Sequence, residues 1–202
     1  MQRATITLFF LLNLAACGGG GGGGGGSGVD PRLARLDVYE AQKLRVLGDP
    51  GAGVMGMPTT NDANVPTAGA LDFSGSGTIR VETGTAPLVI FGDASLRVDF
   101  DNGNATGAIE NTFGTNRTDD VVDYDGRISL QGNTVGQNMP LNYAGTLSEG
   151  DQTLGFDGTL TAVLLGNPTA ALSGADLEAE IDQNGVMRSG TLVITMEETD
   201  TP

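Results

Sequence analysis

Four aspartates stand close together in the middle of the chain and are the residues best suited to hold a metal ion. They are Asp119, Asp120, Asp123 and Asp125, directly before Gly126. Hard divalent cations such as Ca²⁺ bind several carboxylate oxygens, but this spacing does not match the calcium loop of an EF-hand. The four aspartates are therefore candidates for a weak metal site, and a solvated hairpin loop is the competing interpretation.

Residues for acid–base or nucleophilic catalysis are few. Asp99 and Asp101 lie two residues apart, so on a strand they project to one side and resemble a catalytic pair of carboxylates; solvation of an outer face explains them equally. Four serines stand beside glycines, but none lies in a Gly-x-Ser-x-Gly elbow, and the chain has 0 histidines to act as their usual base. We therefore predict that the protein is not an enzyme. These serines are Ser74, Ser76, Ser173 and Ser189.

Haem is a cofactor that this composition could bind, because tyrosine or methionine can ligate its iron. The candidates are Tyr39, Tyr124, Tyr143 and the 6 methionines. Tyr124 and Tyr143 each precede a glycine by two residues, a position from which a large side chain can cover bare strand backbone. We predict packing roles for the tyrosines and no cofactor.

The start of the chain has the pattern of an export signal. Arg3 supplies a positive charge, and an apolar stretch over residues 4–14 is too short to span a bilayer as a helix. It ends in Leu14-Ala15-Ala16-Cys17, which resembles the lipobox of bacterial lipoproteins. The resemblance implies cleavage between Ala16 and Cys17, with lipid attached to the Cys17 thiol. A buried, unmodified cysteine is the alternative.

Lipidation would keep the protein at a membrane, because two acyl chains give stable anchorage. Gly18 after the cysteine, by resemblance to lipoproteins of Gram-negative bacteria, implies the outer membrane, with the domain facing the cell surface or the periplasm. Residues 18–26 are all glycine and predict a disordered tether. No Gly-Lys-Ser/Thr follows them, so a nucleotide-binding loop is not expected.

The net charge excludes one class of partner, and the cysteine content excludes an internal covalent link. The net charge of −15 opposes binding to phosphate backbones, so nucleic acid is not an expected partner. Cys17 is the only cysteine, so the fold contains no intramolecular disulfide.

These observations divide the chain into four segments. They are a signal peptide over residues 1–16, a lipidated tether over 17–30, a helix and loop lead-in over 31–69, and one domain over 70–198.

In the lead-in, Asp30 and Pro31 form a good helix start and Gly48 a terminator. The apolar positions at partly helical spacing between them are Leu33, Leu36, Leu44 and Leu47. They predict a short helix, with a strand as the competitor.

From residue 70 onward apolar residues alternate with polar ones, as in half-buried strands. The clearest segments are 78–82, 96–101 and 176–182, where Leu177, Ala179 and Ile181 are expected to share the buried face. Shorter or weaker candidates lie at 88–91, 105–113, 124–130, 141–147, 154–164 and 190–196. Turn residues such as Asn102-Gly103 separate neighbours, so the prediction is an all-β fold: a single small antiparallel barrel of about eight strands.

An apolar residue two positions before a glycine recurs along these strands. On one face of a strand such a residue can cover the glycine where the sheet bends, a device for closing a barrel. The pairs are Phe73 and Gly75, Tyr124 and Gly126, Tyr143 and Gly145, Phe156 and Gly158, and Leu172 and Gly174.

Over residues 66–196 the chain resembles the small β-barrel domain of transferrin-binding protein B and related surface lipoproteins. The matching stretch runs from Gly158-Thr159-Leu160 through Leu165-Gly166-Asn167-Pro168-Thr169-Ala170 to Leu172-Ser173-Gly174, with Val98-Asp99-Phe100, Gly107 and Ile109 before it. It departs at Ala171-Leu172, where the family often has an acidic residue, and at Ser173-Gly174, where it has two glycines. The chain is also too short for two lobes, so transferrin binding is not carried over.

The resemblance implies a surface or periplasm-facing lipoprotein that binds a protein or a small ligand. We expect a monomer held by its lipid, with a protein partner at the envelope or on a host surface. A carrier of haem or lipid in the barrel lumen is one alternative, and a structural envelope protein is the other.

Overall fold

The computed structural model of the protein describes residues 30–199, except 85, 117, 119 and 135. The predicted signal peptide and tether, with Ala16 and Cys17, lie outside this range. The described chain begins with helix α1 (Pro31–Leu47) and a small hairpin of β1 (Gly48–Asp49) and β2 (Val54–Met55). Eight long strands follow: β3 (Ala70–Val81), β4 (Leu88–Asp99), β5 (Asn104–Thr115), β6 (Val121–Asn133), β7 (Asn138–Glu149), β8 (Gln152–Leu165), β9 (Ala171–Gln183) and β10 (Val186–Glu198).

The eight long strands form a closed antiparallel barrel in the order β10-β3-β4-β5-β6-β7-β8-β9. Each strand pairs with its neighbour in sequence, and β10 closes the barrel against β3, where Ile79 lies opposite Leu192. The predicted all-β barrel and its strand number are confirmed. Candidates 88–91 and 96–101 fall on a single strand, β4, which runs through the inward-facing Ala94 and ends at Asp99, so residues 100 and 101 lie in the turn that follows.

The barrel interior is packed with apolar side chains. They form one continuous cluster to which all eight strands contribute, and burial of each large member stabilises the fold by about 1.5–3 kcal/mol. The largest members include Phe73, Ile79, Ile90, Leu96, Ile109, Ile128, Leu130, Met139, Leu141, Tyr143 and Leu147.

The alternation fails at one predicted position. Leu177 is 67% exposed, whereas Ala179 and Ile181 are buried as expected. The ladder between β8 and β9 is interrupted between the Phe156 and Thr161 pairs, and β10 shifts register between Gly190 and Leu192. An irregularity of one residue reverses the facing of side chains beyond it, so the strict period of two gave the wrong side for Leu177.

The lead-in covers one end of the barrel. The Thr60 amide donates to the Leu164 carbonyl at 2.9 Å, its hydroxyl donates to the Gly166 carbonyl at 2.8 Å, and Val65 packs against the core. The opposite end, which we call the far end, is bounded by the β3–β4, β5–β6, β7–β8 and β9–β10 connections.

The predicted helix is confirmed, and its strand alternative is wrong. Asp30 accepts a hydrogen bond from the Arg32 amide at the first turn, as an N-cap residue does. The buried face, however, consists of Tyr39, Gln42 and Val46.

The leucine stripe of α1 is therefore not the buried face, although Leu36 within it is half-buried. Leu33, Leu44 and Leu47 are 40%, 45% and 38% exposed. The outer barrel wall beneath the helix offers polar groups, such as the Ser74 carbonyl that accepts from Gln42 at 2.9 Å. These groups orient the helix more specifically than leucine side chains would.

The predicted covering of glycines also needs correction. A Cβ placed on Gly158 would lie 2.3 Å from the Tyr143 hydroxyl oxygen, and Tyr143 is directly opposite Gly158 on the neighbouring strand. Tyr143 thus covers a glycine, but across the ladder and not two residues along its own strand, because directly opposed side chains are the nearest neighbours on one sheet face.

Candidate functional site

A crevice lies on the outer wall of the barrel, between α1 and strands β4, β5 and β6. Its volume is about 520 Å³, and it is open to solvent. Its lining is mostly polar and consists of Arg35, Asp93, Asn111, Thr112, Asp123, Tyr124 and Asp125. It brings together side chains from the helix and from three strands, so it exists only in the folded protein.

Aromatic rings pack against Arg35, one of the side chains that line the crevice. Tyr39 of α1 stacks on Phe113 with ring centroids 6.5 Å apart, and Phe91 of β4 lies 6.0 Å from Phe113. The Arg35 guanidinium sits 4.7 Å above the Phe113 ring centroid, a cation–π contact. Arg35 and Tyr39 therefore hold the helix against the outer face of β4 and β5.

Asp93 is the centre of the polar network. It accepts hydrogen bonds from the Tyr39 hydroxyl at 2.5 Å and from the Asn111 amide at 3.0 Å, and it pairs with Arg35 at 3.0 Å. Partial burial alone would raise the pKa of Asp93, but the hydrogen bonds from Tyr39, Asn111 and Arg35 outweigh it and lower that pKa. Burial, with the bond to Asp93, raises the pKa of Tyr39 to about 12.

Asn111 occupies an unusual backbone conformation in the crevice wall. Its φ is 50°, in the left-handed region that non-glycine residues seldom adopt. The ladder between β5 and β6 shifts register between Ile109 and Thr112, which marks a bulge at this position. The bulge turns the Asn111 carbonyl toward α1, where it accepts a hydrogen bond from Arg35 at 2.9 Å.

The predicted acidic cluster is only partly present here. Asp123 and Asp125 line the crevice, and Asp123 pairs with Arg32 at 3.3 Å. Asp120 lies in the preceding turn and accepts a hydrogen bond from the Thr118 hydroxyl at 2.8 Å, while Asp119 lies outside the described residues. Within residues 30–199 as described, no group of three or more His, Cys, Asp or Glu side chains is placed to hold a metal. Because Asp119 lies outside the described residues, the metal hypothesis for the four aspartates stays a prediction.

Several other residues singled out from the sequence make structural contacts. Asp99 accepts hydrogen bonds from the backbone and side chain of Asn102, which lower the pKa of Asp99 and close the β4–β5 turn. Asp101 lies in that turn, so the two aspartates do not share a strand face. The Tyr124 hydroxyl donates to the Thr115 carbonyl at 3.0 Å, and the Ser173 hydroxyl donates to the Ile194 carbonyl at 3.0 Å.

Sequence reasoning missed Arg35, Asp93 and Asn111. A faint signal exists for the first, since Arg35 and Tyr39 stand four residues apart and lie on one face of a helix. No periodicity identifies a bulge at Asn111.

Comparison of the chain with protein-family models and with curated proteins finds no match. The likeness to the transferrin-binding protein B barrel therefore stays a prediction. No helix in the described part of the chain has the length and hydrophobicity needed to cross a membrane.

Proposed function

We propose that the protein is a lipid-anchored lipoprotein of the bacterial outer membrane whose barrel is a non-enzymatic binding module for a protein partner. The observation that carries the proposal is the crevice between α1 and strands β4–β6, where charged side chains from separate elements converge at an open surface. The anchor rests on Cys17 and the lipobox pattern before it.

The packed barrel interior favours binding on the outside. An eight-stranded barrel is near the size at which side chains alone fill the lumen, and here the inward-facing residues form one continuous cluster. A ligand as large as haem would have to displace many of them. This packing argues against a carrier site in the lumen and favours a binding site on the outer wall.

The charges of the crevice favour a basic partner. Arg35 is already held by Asp93, and Arg32 by Asp30 and Asp123. The Asp125 carboxylate lines the crevice without a hydrogen bond or ion pair to its side chain among the described residues. With a net charge of −15 the protein attracts cationic surfaces at long range. We therefore propose a lysine- or arginine-bearing surface as the complement.

The test compares proteins retained from envelope extract and from host serum by the whole chain and by two charge-reversal variants. Asp125→Lys reverses a charge in the crevice. Glu180→Lys is the control, because it reverses the charge of an exposed residue on β9, away from the crevice. We expect a basic protein retained by the wild type and Glu180→Lys and lost with Asp125→Lys. Identical retention by all three proteins, or no retained protein, would contradict the crevice as the binding surface.

A further inference from the structure

Exposed apolar side chains are concentrated in the lead-in before the barrel. Among the described residues nine large hydrophobic side chains are exposed, and six of them lie within residues 33–55. The described part of the barrel, although several times longer, contributes three. Single exposed hydrophobic residues are normal on a protein surface, whereas a concentration of them in one segment indicates an interaction site. The six are Leu33, Val38, Leu44, Leu47, Val54 and Met55.

The leucine stripe of α1 continues into the β1–β2 hairpin. Leu33, Leu44 and Leu47 lie on one side of the helix, and the 14 residues from Leu33 to Leu47 extend about 21 Å. Met55 lies opposite Gly48, which directly follows Leu47, and Met55 is 91% exposed. The exposed apolar surface therefore runs from the first turn of the helix to the hairpin.

The predicted lipid anchor is close to this surface along the chain. Asp30 caps the first turn of α1, and it is 13 positions after Cys17. A glycine-rich segment of this length is expected to have an r.m.s. span of about 20 Å. Once Cys17 is held in a bilayer, such a tether gives the leucine stripe an effective concentration on the order of millimolar at that surface. Even a weak apolar contact with the bilayer would then be populated.

We propose that α1 lies on the surface of the bilayer that holds Cys17, with the leucine stripe and Met55 against the lipid. An amphipathic helix in this position buries its apolar side at the boundary between headgroups and acyl chains and does not span the membrane. The inference rests on the lipid anchor of the proposed function. Because the crevice borders α1, docking of the helix holds the crevice beside the membrane, within reach of a partner embedded there.

The charges of the protein restrict the depth of the helix and the kind of membrane. Glu40 lies four residues before Leu44 on the same side of α1, and its carboxylate pairs with Lys43 at 3.6 Å. Long charged side chains can keep their ends in the headgroup region while their stems contact apolar surface, so Glu40 is compatible with a shallow position only. The net charge of −15 opposes anionic headgroups. The contact therefore fits a zwitterionic surface.

Two exposed methionines provide a matched pair of probes for this contact. Met55 lies beside the leucine stripe, whereas Met187, 58% exposed, lies on β10 at the far end of the barrel. The full-length gene product is labelled with ¹³C-methyl methionine, purified in detergent and placed in phosphatidylcholine nanodiscs that contain a nitroxide lipid. We expect strong paramagnetic broadening of the Met55 methyl signal and little broadening of the Met187 signal.

The two methionine signals also reveal other occupants of the leucine stripe. Equal broadening of Met55 and Met187, or no broadening of either, would overturn the proposal. A Met55 signal that shifts with the density of protein in the nanodiscs, without broadening by the nitroxide lipid, would identify a second copy of the chain as the occupant and would overturn it as well.

Variants test whether the leucine stripe makes the contact. Leu44→Gln combined with Leu47→Gln should abolish the broadening of Met55. The control combines Leu177→Gln with Val186→Gln, which removes two exposed apolar side chains from the barrel, and it should keep the broadening. Unchanged broadening in the stripe variant would contradict the proposal. The comparison of methionines in the wild type does not depend on how either variant folds.

The intact mass of the same sample reports the anchor separately. If the chain carries lipid and Met55 is not broadened, docking of α1 is wrong and the anchor stands. If the chain carries no lipid, the anchor of the proposed function is wrong. Cys17, the only cysteine, is then coupled to a maleimide lipid in the nanodisc. Broadening of Met55 in that sample supports the contact of α1 with the bilayer, and its absence overturns it.

Discussion

The Tyr143 hydroxyl lies against Gly158 on the next strand and donates a hydrogen bond to Asp176 on the strand beyond, at 2.7 Å. Tyr143 is 1% exposed, and burial, together with the bond to Asp176, raises its pKa. The contact spans the interval in which β8 and β9 lack paired residues, between Phe156 and Thr161. One side chain thereby bridges three strands where the ladder is interrupted.

Gly158→Ala should destabilise the barrel. The new Cβ would lie 2.3 Å from the Tyr143 hydroxyl oxygen, and the buried ring cannot move without displacing its neighbours. We expect a loss of about 1–3 kcal/mol in the free energy of unfolding, measured by urea denaturation. Gly155→Ala is the matched control on the same strand, because a Cβ there meets no atom closer than 3.4 Å. Equal stability of the two variants would show that Tyr143 is not tightly held.

Substitutions in α1 should show which face supports the helix. Val46 is 0% exposed and packs with Leu165 and Ala171, whereas Leu44 is 45% exposed. Val46→Ala should lower the free energy of unfolding by about 1–2 kcal/mol, and Leu44→Ala by less than about 0.5 kcal/mol. Thermal melts of both variants test this. A larger effect from Leu44→Ala would mean that the leucine stripe is the buried face in solution.

Acid should weaken the contact between α1 and the barrel. The hydrogen bonds to Asp93 lower its folded pKa below the value of 3.8 that it has when unfolded. Its contribution to stability is therefore complete above pH 4 or so and is lost as the pH falls through the folded pKa. Unfolding free energies between pH 6 and pH 2 should show this loss.

Asp93→Asn provides the comparison for the acid titration. The variant lacks the titrating carboxylate, so its stability should depend less on pH in that window than the stability of the wild type. Asp157→Asn, on the exposed face of β8, should keep the wild-type dependence. Parallel pH profiles for Asp93→Asn and wild type would refute the role of the Asp93 network.

Cys17→Ser tests the anchor. Two acyl chains stabilise membrane association by about 0.8 kcal/mol for each buried methylene, so their loss should release the protein into the soluble fraction. Fractionation of cells and intact mass of the mature chain provide the measurements. A Cys17→Ser protein that stays membrane-bound, with a wild-type protein that carries no added mass, would eliminate the lipoprotein assignment.

The barrel and its helix were determined largely by local sequence. Alternation with a period of two appears wherever one strand face is buried and the other is solvated, so segments such as 96–101 indicate strands without knowledge of their partners. Asp30 and Pro31 likewise mark the helix start through local backbone chemistry. The same local rules failed at Leu177, because a bulge changes the facing of a side chain without changing residue type.

Only the tertiary structure determined which side chains contact each other. Tyr39 and Asp93 are 54 residues apart in sequence, yet their side chains share a hydrogen bond, which residue spacing does not reveal. Which face α1 buries depended on carbonyl and carboxylate groups presented by β3 and β4. The local sequence pattern indicates which residues are buried. Specific polar contacts depend on the register and curvature of the closed sheet, and these arise from all eight strands together.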